Sequence, residues 1–385
     1  MKILVFRTGQ LGDSLAAVPA IHAIHRTYPK ANKTLLYDQH IGKSYVLSRA
    51  LFAGSHLFDR FLPYPVPYQK RDKTLWPFHL FRLLWILRRQ KFDLVIHLEP
   101  ELKTPARLKR DKLFFRLAGI PRQVTTLPYR KPRSCQRPLQ PLEHESDFYL
   151  RALGTQGFTV PPPGQGSYNL NLTPTEDKEV KSFWHAQKPQ TNNEEQRTKN
   201  KERRTNNEEQ RTKNKQQPST KLISVAIGSK MQSKRWPLER FAAVLTRLHR
   251  EYGLTPLFLG GPEDAEASAH LIEKLGCGFN ACGSLSLRGS ARAMEGTHFY
   301  LGNDTGTMHL AVAVGLKCVA IFSARDVPGK WYPYGEGHKV HRIPVDCEGC
   351  LLYECHQQKR KCLTSIAAED VFESCVEVMN DRNKE

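Results

Sequence analysis

The string TNNEEQRTKNK occurs twice, at Thr191–Lys201 and Thr205–Lys215, a repeat of period 14. It contains no apolar residue, so no face of it can be buried. Two copies are too few for a solenoid, which needs about three or more stacked units sharing a core. A chain of 385 residues interrupted in this way must build a separate core on each side of the tract. Residues 189–218 are therefore expected to be a disordered insert without chemistry of its own.

Each side shows the same local grammar. Lys2–Phe6 is a short apolar run, followed by Gly9 and Gly12 and then by helical spacing over Ser14–Ile24. Thr34–Tyr37 and Phe92–Leu98 read as further strands, and Phe81–Arg89 as an amphipathic helix. Beyond the tract the pattern restarts: strand Lys221–Ile227, helix Leu238–Tyr252, strand Thr255–Leu259, helix Ala265–Leu275. Phe299–Gly302 leads into a turn, Thr307–Val314 is helical, Lys317–Phe322 is a strand, and Ile366–Met379 is a terminal helix. Alternating strands and helices predict parallel α/β sheets, here two facing Rossmann-like domains with a cleft between them. The expected division is 1–175, a linker over 176–220 with the repeat at 191–215, a second domain over 221–365, and a C-terminal helix over 366–385.

Charge separates the halves. Residues 1–190 hold 30 Lys and Arg against 14 Asp and Glu, whereas residues 218–385 hold 20 against 19. So lopsided a field implies that the first half faces something anionic: a nucleic acid, a phosphorylated lipid or a membrane surface. No apolar run reaches the roughly 18–20 residues of a membrane span, and Arg7 follows Ile3–Phe6 too closely for an export signal. A cytoplasmic protein without a transmembrane segment is expected.

Two familiar fingerprints fail. The opening turn, Gly9-Gln10-Leu11-Gly12-Asp13, is not G-x-G-x-x-G, and Gly42-Lys43-Ser44 lacks the glycine a phosphate loop needs at Tyr37. Three segments carry positive signals. Asp13 lies where a glycine turn meets a helix, able to serve as a general base or simply as a helix cap. In Gly228–Pro237, the donors of Ser229, Lys230 and Lys234 lie between a strand and a helix and suit a phosphate or diphosphate; the bland reading is a basic loop with Trp236 in the core. In Gly302–His309, Asp304 and Thr305 precede a helix beginning near Gly306, whose first amides are anion donors; Asp304 could hold a ribose or orient His309. Cys347, Cys350, Cys355 and Cys362 form a fourth feature. They could hold zinc, although their unequal spacing is not that of a standard ribbon; reduced or redox-active thiols are the alternative.

Together these segments resemble glycosyltransferase family 9, the heptosyltransferases of lipopolysaccharide core assembly. The resemblance rests on ILVFRTGQLGDSLAAVPAIHAIHRTYP, FDLVIHLEP, SKRWPLERFAAVLTRL, LGGPEDAE and GNDTGTMHLAVAVGLKCVAIF, in that order, with His25 departing from the usual leucine. It implies a GT-B fold, with the acceptor on the first domain and a nucleoside-diphosphate sugar, ADP-heptose, on the second. It also implies inverting transfer with no required cofactor or essential metal. Carried over by motif, Asp13 would be the catalytic base. Ser229, Lys230 and Lys234 would hold the donor phosphates, and Asp304, Thr305, Gly306 and His309 the donor. Glu263 or Asp264 would hold the ribose, and Leu285 would lie near the base. The acceptor would be a lipopolysaccharide-core-type or other anionic glycolipid, met at the inner face of the cytoplasmic membrane. The alternatives are a GT-B-like nucleotide-sugar epimerase or non-catalytic relative, and a basic nucleic-acid-binding protein. The last lacks a zinc-finger spacing, an aromatic stripe or a helix-turn-helix signal, and no nucleic-acid partner is expected.

Overall fold

The strand Lys2–Arg7 (β1) has five consecutive buried residues, the mark of a strand covered on both faces. In the computed structural model, which describes residues 1–40, 48–67, 72–99, 104–129, 137–187, 221–356 and 358–382, it is the central strand of the first of two parallel sheets. Its partners are β2 (Asn32–His40), β3 (Arg60–Val66), β4 (Leu94–His97) and β5 (Arg122–Thr125), in the order β3-β2-β1-β4-β5. The second sheet is built from β6 (Lys221–Ala226), β7 (Leu254–Phe258), β8 (Phe279–Asn280), β9 (Tyr300–Asn303), β10 (Cys318–Ile321) and β11 (Lys339–His341), in the order β11-β10-β9-β6-β7-β8. Every pairing is parallel. In each sheet the winding reverses beside the first strand, between β1 and β4 and between β6 and β9. Such a switch point leaves a crevice at the carboxyl ends of the strands. The two doubly wound halves face each other, which is the GT-B arrangement.

The first half carries α1 (Leu11–Ala16), α2 (Val18–Thr27), α3 (Ser48–Phe52), α4 (Asp72–Gln90), α5 (Pro105–Leu117) and α6 (Glu145–Gly154). The expected helix over 14–24 is in fact two. Pro19, at the start of α2, has no N–H to continue the ladder, and the Ala17 N–H bonds instead to the Ser14 carbonyl at 3.3 Å. The helix foreseen at 81–89 begins a full two turns earlier, at Asp72, and tolerates Pro77 near its start. Helix α7 (Pro174–Gln187) occupies the beginning of the stretch expected to be a linker. The repeat, like Gly42-Lys43-Ser44, lies outside the described residues.

The second half adds α8 (Leu238–Tyr252), α9 (Ala265–Leu275), α10 (Leu287–Glu295), α11 (Gly306–Ala313), α12 (Lys361–Thr364) and α13 (Ala368–Arg382). Helices α8 and α9 run over the expected residues, because Gly253 and Gly276 end them in the left-handed conformation that glycine adopts most cheaply. One apolar cluster, from Ile3 and Tyr149 to Ala291 and Leu310, is continuous between the halves. Separate clusters lie under α4 and α5 and under α8 and α13.

Buried polar contacts reinforce the join. Arg288 of α10, 4% exposed, meets Glu176 of α7 at 2.5 Å and donates to the carbonyls of Leu51, Leu170 and Asn171. Burial raises the Glu176 pKa, but the bonds from Thr173 and Arg288 outweigh it and hold the carboxyl at about 2. Because the folded value is depressed, this contribution to stability is present above the ordinary carboxylate range and is lost as pH falls toward about 2. Replacing Arg288→Met leaves the Glu176 carboxylate without its buried partner and is expected to cost about 3 kcal/mol, read from urea denaturation at neutral pH. The Glu176→Gln variant is expected to lose less of its stability than wild type on acidification.

Candidate donor and acceptor site

The helices that leave the two switch points, α1 and α11, meet at their starts. At the first, Asp13 occupies the opening turn of α1. Its Oδ2 accepts the Gln10 N–H at 2.8 Å, so the carboxylate does cap its own helix, yet its side chain keeps 24% of its surface in water. Arg7, at the end of β1 and fully buried, donates to the Leu98 carbonyl at 2.9 Å and to the Asp13 carbonyl at 2.6 Å, with a guanidinium nitrogen 3.5 Å from Asp13 Oδ1. Burial opposes the Arg7 charge, but Tyr149, Asp13, Glu145 and Asp38 together hold its pKa above the ordinary value. A cation under the carboxylate fixes where Asp13 points. Asp38, 4% exposed at the end of β2, accepts the Gly9 N–H at 3.4 Å, and burial pushes its carboxyl pKa up. Arg7 bounds the first segment singled out in the sequence but was given no role there, and Asp38 was not foreseen. The only signal in the sequence was an arginine continuing an apolar strand, a place where a charge needs a reason.

At the second switch point the segments after β6 and β9 lock together. Lys234 Nζ lies 2.5 Å from Asp304 Oδ2. Asn303 ties the same two segments, its Oδ1 accepting the Trp236 N–H at 3.0 Å and its Nδ2 donating to Ile227 at 2.7 Å. Trp236 is 1% exposed, so the bland reading of it as core is right and coexists with the lysine beside it. The Asp304 carboxylate is engaged by Lys234, not by His309. The Thr305 hydroxyl caps α11 by accepting the Thr307 N–H at 3.2 Å. Ser229 accepts the Met231 N–H at 3.4 Å, and Lys230 stands exposed beside it. Of the acidic pair, Glu263 is exposed, whereas a Cβ added at Gly228 would stand 2.0 Å from Asp264 Oδ1. Asp264 thus packs against the turns that follow β6 and β7; burial, then Glu263, raises its pKa. Leu285, half-buried, packs against the apolar cluster shared by the halves.

The two helix starts meet across the gap. A Cβ at Gly306 would lie 2.7 Å from Leu11 Cδ2, and one at Gly12 would lie 3.3 Å from His309 Cδ2. At Gly306 a Cβ would force Leu11 to move, whereas at Gly12 it would press tightly on His309. The start of α11 therefore adjoins both the turn that carries Asp13 and, through Asp304, Lys234. His309 is 2% exposed, and its Nδ1 finds no hydrogen-bond partner among the described residues.

Cys347, Cys350, Cys355 and Cys362 are half-buried free thiols. Burial raises the Cys362 pKa, and the other three are near enough to add to it. Among the described residues, however, no three His, Cys, Asp or Glu side chains are placed to hold a metal ion. The loop has another use. The Ser233 N–H and hydroxyl donate to the carbonyls of Tyr353 and Leu352, at 3.1 and 2.6 Å, so the loop supports the turn that carries Lys234.

The chain is similar to known proteins along most of its length. The family described as glycosyltransferase family 9 (heptosyltransferase) matches residues 169–361. The chain is 21% identical to lipopolysaccharide heptosyltransferase 1 of Escherichia coli K12 over 363 residues, 89% of this chain and 94% of the relative. A family 9 glycosyltransferase from Veillonella parvula superposes with a TM-score of 0.69 at 18% identity, covering 99% of this chain and 97% of the other. An E. coli heptosyltransferase solved with ADP-2-deoxy-2-fluoro heptose superposes at 0.59 and 17% identity, covering 98% and 99%.

Burial, then His144 and Lys234, pushes the His309 pKa down to about 3. The ring should remain neutral across about pH 5 to 8, offering a lone pair or an N–H but no charge. Burial holds His144 and His338 low as well, each at about 4; among the imidazole resonances that NMR finds without titration in that range, one is expected to be absent from the spectrum of His309→Gln.

Proposed function

The chain belongs to glycosyltransferase family 9, and from that premise we propose that it moves a heptose from ADP-heptose to a lipopolysaccharide-core-type or other anionic glycolipid, with inversion at the anomeric carbon. Family membership favours a sugar transferase over the epimerase and nucleic-acid-binding alternatives. The observation that carries the reading is that α11 starts beside both the turn of Asp13 and the Lys234–Asp304 pair. The likeness to an enzyme solved with an ADP-heptose analogue supports the choice of donor.

In this mechanism the acceptor hydroxyl attacks the anomeric carbon from the side of the first domain. Its oxygen forms the new glycosidic bond while the bond from the anomeric carbon to the phosphate oxygen breaks. The electron pair leaves with ADP, and the hydroxyl proton passes to Asp13. Lys234 and the first amides of α11 offset the charge growing on the departing diphosphate. Ser229 and Lys230 add donors to the phosphates, His309 adds a neutral contact to the donor, and Asp264 or Glu263 holds the ribose. For Lys234 to reach a phosphate its contact with Asp304 must loosen, so Asp304 acts as the resting partner of the lysine. No step needs a metal. The acceptor would be met in the cytoplasm, at the inner face of the membrane; no helix among the described residues is long and apolar enough to cross it.

Replacing Asp13→Asn keeps the shape and removes the proton acceptor. Turnover should fall at least about a hundredfold while ADP binding stays within about threefold of wild type; full turnover would remove the base assignment. A thermal-shift panel should rank ADP above UDP and GDP, because stabilisation follows ligand occupancy. Equal stabilisation by UDP would overturn the choice of base.

A further inference from the structure

Six of the ten large apolar residues left exposed among the described residues lie on two neighbouring helices. On α4 they are Leu75, Phe78, Phe81 and Trp85; on α5 they are Leu113 and Leu117, all between 50% and 68% exposed. The α4 residues recur every three or four positions, so they form a stripe along the helix. It is not the core face of α4: Leu83 and Leu87, buried with Phe115 and Ala118, hold the helices to the sheet from the other side. The stripe is therefore apolar surface turned to water, which a protein without a use for it would replace with polar residues.

Its surroundings are cationic. Arg82, Arg88 and Arg89 lie on the exposed side of α4, with the Arg89 guanidinium 3.7 Å from the Trp85 ring centre. Arg107, Lys109, Lys112 and Arg116 line the exposed side of α5. The one carboxylate of α5, Asp111, is buried and already held by Arg110. Where the helices end, a cavity of about 350 Å³ is lined by Arg88, Lys91, Asp93 and Gly119.

We infer that the outer face of α4 and α5 docks this protein on an anionic lipid bilayer, the apolar stripe entering the boundary between headgroups and acyl chains. The cations then lie on lipid phosphates, and Trp85 sits at the depth where an amphipathic ring is favoured. Other occupants fit less well. A second copy would bring two cation-rich faces together. A nucleic acid would use the cations but leave the six apolar side chains in water. This deepens the reading of a membrane-borne acceptor by naming the surface, and because its test uses no donor or acceptor, the two can fail separately.

The test is co-sedimentation of the full chain with phosphatidylcholine vesicles, with and without phosphatidylglycerol, at low and high salt. Wild type is expected to bind the anionic vesicles at least tenfold more tightly than the neutral ones, and less tightly as salt rises. The charge reversals Arg88→Glu and Arg89→Glu together should lose that preference. Phe78→Ser with Trp85→Ser should weaken binding to anionic vesicles at least tenfold. All four side chains are exposed, so melting and ADP binding should not change. Absence of binding to anionic vesicles, or equal binding by the Phe78→Ser, Trp85→Ser protein, overturns the proposal. So does wild-type self-association that this double variant disperses while vesicles capture nothing.

Discussion

The close approach of two helix starts, Gly12 in α1 against His309 and Gly306 in α11 against Leu11, holds the site together. Each helix follows the first strand on its side of a switch point, so both bring backbone amides to the crevice of their own sheet. The missing side chains at the two glycines let those crevices become one gap. A methyl group at Gly306 would have to displace Leu11, and one at Gly12 would press on His309. The catalytic reading depends on that contact more than on any single charged residue, because it sets the distance between the proposed base and the proposed phosphate site.

Around this seam the polar groups divide the work between fixed and movable. Arg7 is fixed: it is wholly buried, bonded to two carbonyls, and holds Asp13 from below. Asn303 is also fixed, joining the segments after β6 and β9 through two backbone groups. Lys234 is different. Its partner Asp304 is a side chain and not a carbonyl, and 13% of its own side chain faces solvent. A lysine so placed can exchange one anion for another without disturbing the backbone. The Cys347–Cys362 loop belongs with the fixed parts, since its carbonyls receive Ser233 beside that lysine.

Much of this was legible in the sequence. Strands buried on both faces announce themselves as unbroken apolar runs, which is why β1, β4, β6 and β10 lay close to where they were expected. Helices α8 and α9 had clean periodicity and a glycine stop. The site segments were legible because glycines and polar residues interrupt apolar runs at strand ends. The pieces that were not legible share a cause. Strand β3 carries two prolines and is only partly buried, β8 is two residues long, and α5 has cations on most of its outer positions. None has a periodic apolar signal. Arg7 and Asp38 escaped because a buried charge is recognisable only from the partners that fold around it. The pairing of Lys234 with Asp304 joins residues far apart in sequence, which no local spacing reveals.

The uneven charge of the chain also finds a structural reason. The surplus of the first half is not concentrated at the cleft, where Arg7 is already shared between Asp13 and backbone carbonyls; a large part of it lies on the outer helices α4 and α5. The second half, nearly neutral, places a few cations at its switch point. Two kinds of anion would then be recognised by two kinds of physics. A diphosphate in a narrow gap is selected by placed donors that salt screens little, whereas a lipid surface is met by many exposed charges acting together, an attraction that salt weakens steeply. Separating the two lets a protein stay at a surface while its donor exchanges freely, because loss of one bound ADP leaves the field of the outer helices unchanged.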